Sequence, residues 1–396
     1  MNGEMNDGQG TLMKNRGSGF KPYAPLLGVF LCVGYLSALA YTDENAPHTI
    51  AVLSGPHTID RIYKSMEGIT GDKRFELSAK PEQPELFWVT AGNVDMFKEE
   101  DGSNGTGKFL CHAYLKFDDQ YFTTYHRNLP LGKMTHQPVR LFTFVQGQPA
   151  IHLPRGYGIP VLSSELFEFE YMVINPTQPE RPFAVKTQGT FAYVRDGELE
   201  EPLKPLFMRI VGMHVRVKQG SAGPQAHCSE LGDVSSADLA GQADKDAEPA
   251  KSSLHKILKN EGGFDEVYHW MVPPGRHQYR YQLESKFLAN LPFDTTVHYI
   301  NAHLHPHGEF IELRDLTTGQ TVFRSSATNN AERSGLTTLT DFSSDEGVVI
   351  RRDHQYEMVA EYDNTTDHDI DAMAILFLYL RDQTFDRERL RTSSGL

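Results

Sequence analysis

The chain has 396 residues, 39% of them hydrophobic, with a formal net charge of −14. That is enough apolar material for a sizeable core, and the length is that of about two domains. There is no basic block and no stripe of aromatic and basic residues, which argues against a nucleic-acid partner. Only 3 Cys accompany 17 His, which excludes a dense disulfide framework and makes the grouping of the histidines the feature to follow.

Residues 1–23 form a polar leader, rich in Gly, Asn and Met and expected to be disordered, that carries Lys14, Arg16 and Lys21. Residues 24–41 follow with no charge, and Asp43 and Glu44 close the segment. Eighteen residues at ~1.5 Å rise give ~27 Å, close to the ~30 Å hydrocarbon core of a bilayer. Basic residues before the segment and acidic residues after it predict an inside N-terminus and an exported body, periplasmic or extracellular. Two readings stand: an uncleaved membrane anchor, or a signal peptide cut after Ala38-Leu39-Ala40, which yields a secreted protein. Cys32 lies inside the apolar run, out of any lipoprotein context.

From residue 46 the pattern turns to short aromatic and β-branched runs broken by Gly, Pro, Asn and Asp. Between Leu166 and Met172, Phe167, Phe169 and Tyr171 alternate with Glu168 and Glu170, the period of a half-buried strand. Long helical patterns are scarce. The expectation is an all-β protein of two antiparallel, jelly-roll-like β-sandwich domains after the transmembrane segment, one over 46–200 and one over 201–382, with a tail at 383–396. Residues 218–263 are small, polar and acidic and read as an insertion in the second domain, with a short helix near Ser253–Lys259. Its His227-Cys228 pair has metal-ligand residue types, and ordinary loop sequence is the favoured reading. Cys228 is also a candidate disulfide partner for Cys111, if the two meet in space. Pro273-Pro274-Gly275 marks a tight turn.

The informative stretch runs from His298 to Gly308. On a strand, residues i and i+2 share a face, so His303 and His305 present two imidazoles side by side, a pair suited to Cu, Zn, Fe or Ni. His307 keeps the same parity, but Pro306 and Gly308 mark the end of the strand. It is a third ligand, a partner of a ligand or a solvent-facing residue, and the pattern leaves all three open. Met373, in the apolar run Asp369 to Leu380, is ordinary core material by itself. As a ligand its soft thioether suits Cu(I) and not Zn, Mg or Ca.

Trp270 to Leu380 resembles the C-terminal catalytic domain of the type II, ascorbate-dependent copper monooxygenases, the family of peptidylglycine α-hydroxylating monooxygenase and dopamine β-monooxygenase. The features arrive in family order. A Val272-Pro-Pro-Gly275 turn comes first, then the strand with the HxH pair and its following Gly, then an Arg-containing hairpin from Leu313 to Ser325. A Met preceded by an acidic residue and followed by an aliphatic-aromatic strand comes last. The resemblance implies copper at His303, His305 and Met373. For the family's second, electron-donating copper it points to Cys111, His112 and Met172, where Cys111 stands in place of one His of a paired His-His and Met172 in place of a distant His. That trio is either a soft copper site or core packing. His126 and His136 have no assigned place.

Three functions follow as expectations. The first is a copper-dependent monooxygenase that hydroxylates a C–H bond of a small-molecule or peptide substrate with O2, using one or two coppers and ascorbate or another reductant. Tyr299 and Asn301 flank its site, and ordinary strand packing is their favoured role. The second is a non-catalytic surface or periplasmic copper-binding protein that sequesters, senses or delivers the metal. The third is a structural double sandwich with vestigial ligands. There is no nucleophile elbow for Ser/His/Asp hydrolysis and no phosphate-binding Gly loop.

Overall fold

The computed structural model describes residues 47–65, 67–77, 85–118, 140–218, 258–260, 264–283, 293–383 and 385–387. The leader, the apolar segment 24–41, most of the polar insertion including Cys228, and His126 and His136 lie outside these residues. Among the described residues, no helix is long and apolar enough to cross a membrane.

The described chain is almost wholly strand. The first part supplies β1 (His48–Ile59), β2 (Ile69–Glu76), β3 (Leu86–Lys98), β4 (Leu110–Phe117), β5 (Arg140–Val145), β6 (Ala150–His152), β7 (Tyr157–Leu162), β8 (Leu166–Val173), β9 (Phe183–Arg195) and β10 (Lys204–Gly212). After it come β11 (Val215–Lys218), β12 (Leu258–Asn260), β13 (Phe264–Val267), β14 (Trp270–Val272), β15 (Gly275–Gln282), β16 (Thr295–Leu304), β17 (Gly308–Asp315) and β18 (Gln320–Asn329). The last are β19 (Leu336–Leu339), β20 (Phe342–Ile350), β21 (Tyr356–Asn364), β22 (Ile370–Ala372) and β23 (Ala374–Arg381). Helix is confined to one turn at Thr106–Phe109 and a 3-10 turn at Asp196–Glu198.

The alternation between Leu166 and Met172 is realised in β8. Phe167, Phe169 and Tyr171 are buried, and Glu168 and Glu170 are half-buried. On the half-buried side Lys116 of β4 reaches Glu168 at 3.1 Å and Glu170 at 3.0 Å. Near the insertion, the expected helix is overturned at its C-terminal end. Leu258 and Lys259 lie in β12, paired antiparallel with β13 opposite Glu266 and Asp265, so their backbone bonds go to a ladder and not to a helix. The expected Arg-containing hairpin is β17–β18.

The largest sheet runs β1-β9-β3-β7-β10-β23-β16-β20, with β6 on β3. β7 and β10 pair parallel, through Tyr157 and Lys204 and through Gly158 and Pro205. A four-stranded sheet, β2-β8-β4-β5, lies against the early half, where Phe144 and Phe169 both pack on Phe191 of β9. A five-stranded sheet, β15-β21-β17-β18-β19, belongs to the late half. Apolar side chains of both halves fall in one core cluster, from Phe142 and Phe144 to Leu376, Phe377 and Leu378. Two side-chain hydrogen bonds tie β16 to the early half. Asn301 Nδ2 donates to Thr143 O at 2.8 Å, and Gln148 Nε2 donates to the Tyr299 hydroxyl at 3.0 Å. These are the packing roles favoured for Tyr299 and Asn301.

His298 is a buried residue of the same strand. Nδ1 donates to Ser344 O at 3.0 Å, so Nε2 accepts from the Thr296 hydroxyl at 2.7 Å, and the ring stacks on Tyr157. Burial lowers its pKa below the ordinary histidine value. A histidine with a depressed folded pKa binds fewer protons when folded than when unfolded, so stability falls as pH drops through the unfolded value of about 6.5. Urea unfolding at about pH 7.5 and about pH 5.5 will show a lower midpoint at the acid end, and His298→Gln will shrink that difference. An unchanged difference in the variant would remove His298 from the acid response.

Candidate metal centre

β16 brings His303 and His305 together. Their ring centroids are 5.2 Å apart with planes at 89°, and each residue is only 3% exposed. β16 itself ends at Leu304, so His305 sits just past the ladder, where Leu304 pairs with Ala374 and His303 with Ile375. β14 and β22 approach from the other side, with Trp270 opposite Ala372 and Met271 opposite Asp371. Continuing both registers by one residue puts His269 and His305 on either side of Met373. Opposed residues share a face, as do residues i and i+2, so this register turns His269, His303, His305, Asp371 and Met373 to the same side.

The result is a cluster the sequence reading assembled only in part. His269, His305 and Asp371 place one ligand-type atom each within 4.8 Å of the others. Asp371 Oδ2 lies 2.9 Å from His305 Nδ1, and Asp371 Oδ1 lies 3.4 Å from His269 Nδ1. The His269 and His305 rings are 5.3 Å apart. Burial pushes the Asp371 carboxyl up, but the charge of His305 and the hydrogen bonds of His269 and His305 outweigh it, holding the group well below the usual carboxylate range. Asp371 is the acidic residue preceding Met373, and its i, i+2 parity with Met373 was the available signal. His269, beside Trp270, gave none, because nothing local says which strand it will face.

One hydroxyl shapes this end of the sheet. Tyr362 of β21 is fully buried and donates to Met373 O at 2.5 Å. It accepts from the backbone N–H of His305 at 3.1 Å and of Met373 at 3.3 Å. Burial raises its pKa, so it stays protonated and able to donate. The phenol thus replaces ladder bonds between His305 and Met373, and Trp270 packs edge-on against its ring.

Met373 is fully buried within the main apolar core. His307 stands apart in the turn between β16 and β17, in the left-handed region at φ 69°. Its N–H donates to Asn329 Oδ1 at 2.7 Å, and its Nδ1 lies 3.3 Å from both Asp363 O and Arg333 Nε. Arg333, itself at φ 51°, also donates to Glu309 at 2.7 Å. In the early half, Cys111 and Met172 come together with Ile174 as a small buried cluster. The Cys111 Sγ is 3.9 Å from Ser65 Oγ. His112, opposite Met172 in the register, stacks on Tyr114 with ring centroids 4.9 Å apart.

No family model matches the chain, and no curated protein matches it. Among solved structures, the chain is similar to the major capsid protein P2 of bacteriophage PM2, at 8% identity over 85% of this chain and 99% of that one, with a TM-score of 0.30. It is also similar to PNGase F, a glycosylasparaginase from Flavobacterium meningosepticum, at 8% identity over 86% of this chain and 98% of that one, with a TM-score of 0.33. Likenesses at this level carry no argument about what the chain does.

Tyr362→Phe will leave the His305 N–H and the Met373 carbonyl without their bridging partner. A buried polar group so stranded costs about 1–3 kcal/mol. Urea unfolding at neutral pH will register a loss of that order, and an unchanged midpoint would show that the bridge does not hold the two strands.

Proposed function

We propose that this protein is a copper-dependent, monooxygenase-like oxidoreductase, with its metal taken up at the imidazole cluster at the end of β16. The observation that carries this reading is the convergence of His303, His305 and His269 with Asp371 in one buried wall. Imidazole donors fit a first-row transition metal, copper among them, and a carboxylate beside them fits its divalent state. Bound there, copper would supply the one-electron chemistry with dioxygen that C–H hydroxylation requires, with electrons from ascorbate or another reductant. The chain contributes buried imidazoles fixed by a strand that Asn301 and Tyr299 brace from below. Met373 is the thioether that the family resemblance adds, and it lies in the chain between the two approaching strands. The substrate is a small molecule or peptide carrying the C–H bond to be oxidised. By the same reading the protein acts on the exported side of a membrane, anchored by residues 24–41 or released by cleavage.

A second reading is a non-catalytic copper-binding protein. What favours it is the early half, where Cys111 and Met172 pack with Ile174 as apolar material and His112 stacks on Tyr114. A hydroxylase needs a source for its second electron, and such packing is a poor one.

Copper stoichiometry measured together with ascorbate-driven O2 uptake separates the two. The enzyme binds copper and consumes O2 with ascorbate, and His303→Ala and His305→Ala abolish the uptake. Bound copper without reductant consumption would support the second reading. Failure to bind copper at all would remove both.

A further inference from the structure

We infer that a divalent first-row transition ion is held by His269, His305 and Asp371, drawn from β22 and from the residues beside β14 and β16. This rests on the reading that the end of β16 takes a metal, and it assigns donors that the HxH pair alone does not supply.

Three observations carry it. The first is spacing. Ligands at ~2.1 Å from an ion and subtending about 90–110° lie ~2.9–3.4 Å apart. The two carboxylate–imidazole separations are 2.9 Å and 3.4 Å, and both involve Nδ1, so the two rings aim the same nitrogen at one carboxylate. The second is an unsatisfied acceptor. Asp371 Oδ1 is buried, and its contact to His269 Nδ1, at 3.4 Å, is longer than a well-made hydrogen bond, a gap that a cation would close. The third is access. The His269 and His305 side chains are 4% exposed and that of Asp371 is 26% exposed, so the carboxylate edge is where an ion enters and where open coordination positions would face. Two imidazoles and one carboxylate with open positions form a donor set used by non-haem iron and, with Glu for Asp, by hydrolytic zinc. It is harder than a His/His/Met set and favours divalent ions over Cu(I). His303, 5.2 Å from His305 by ring centroid, supports the pair as a neighbour.

The test uses the full-length protein, stripped by chelator and titrated calorimetrically with Zn(II) and separately with Cu(II). X-ray absorption on the loaded wild type will show one ion per chain in a shell of nitrogen and oxygen only, at ~2.0–2.1 Å. His269→Ala and Asp371→Asn will each weaken binding by more than about 100-fold, beyond the ~10–100-fold that a merely orienting carboxylate is worth. His303→Ala, which removes a ring packed against His305, will weaken it by less than either, within the ~10–100-fold that a positioning neighbour is worth. A sulfur shell in the wild type would overturn the assignment without touching the variants' folding. Binding that survives in His269→Ala and Asp371→Asn yet is lost in His303→Ala would overturn it too, and would leave the proposed function standing. Zn(II) and Cu(II) binding by this triad with no ascorbate-driven O2 uptake would leave the assignment standing and remove the monooxygenase chemistry. No binding by the wild type would remove both.

Discussion

The ladder between β16 and β23 stops at Leu304 and Ala374, and a single phenol takes over from it. A regular antiparallel pair would have continued through His305 and Met373, with backbone bonding backbone and the strands at their usual separation. The Tyr362 hydroxyl instead satisfies the N–H of His305 and the N–H and C=O of Met373. It comes from the facing sheet, so it enters at backbone level without occupying the face that carries the imidazoles. With those groups satisfied, the chain at Met373 is free to break into β22 and β23. The break swings Asp371 toward β14 and lets His269 approach from the far side. The cluster depends on this substitution of one hydroxyl for a run of ladder bonds.

Electrostatics explains why the cluster is not simply a patch of core. A carboxylate and three imidazoles are dear to bury, and apolar residues of similar volume would stabilise the sheet more cheaply. Elsewhere in the molecule buried charge is neutralised conventionally. Glu312, for example, is held below the ordinary glutamate range, first by the hydrogen bond from Arg314 and further by Thr321 and the Arg324 charge. At Asp371 the charge partners among the described residues are the imidazoles of His305 and His269, which carry charge only when protonated. A site stabilised by groups that are themselves good metal donors differs in kind from the Arg-paired carboxylate a few strands away.

How much of this could be read in advance follows from what is local. Strand character was legible because alternation at Phe167, Phe169 and Tyr171 is a property of consecutive residues, and the HxH pair was legible for the same reason. Asp371 was half-legible: its parity with Met373 was visible, but its partners were not. His269 was illegible, since its meeting with His305 depends on two registers, β14 with β22 and β16 with β23, which no short window encodes. The continuity of the large sheet through the parallel β7–β10 pair was equally hidden, because pairing across nearly fifty residues leaves no periodic trace. At Leu258 and Lys259 a polar, helix-favouring composition gave way to a ladder with β13, the usual victory of tertiary pairing over weak propensity.

The residues that flank the HxH pair set the direction from which anything can reach it. Tyr299 and Asn301 share its face but are spent on the early half: Asn301 is fully buried and donates to the backbone of Thr143, and Tyr299 receives Gln148. Those two positions tie β16 to the early half just ahead of the imidazoles, and His303 and His305 are each only 3% exposed. On the facing sheet Tyr362 is itself held in place, with Trp270 edge-on against its ring. Of the clustered side chains, Asp371 alone keeps substantial contact with solvent. A ligand of any kind must then arrive along the carboxylate edge and meet Asp371 before the rings. The same carboxylate that gathers the imidazoles also guards the way in, so a change at this one position alters both the donor set and the approach to it.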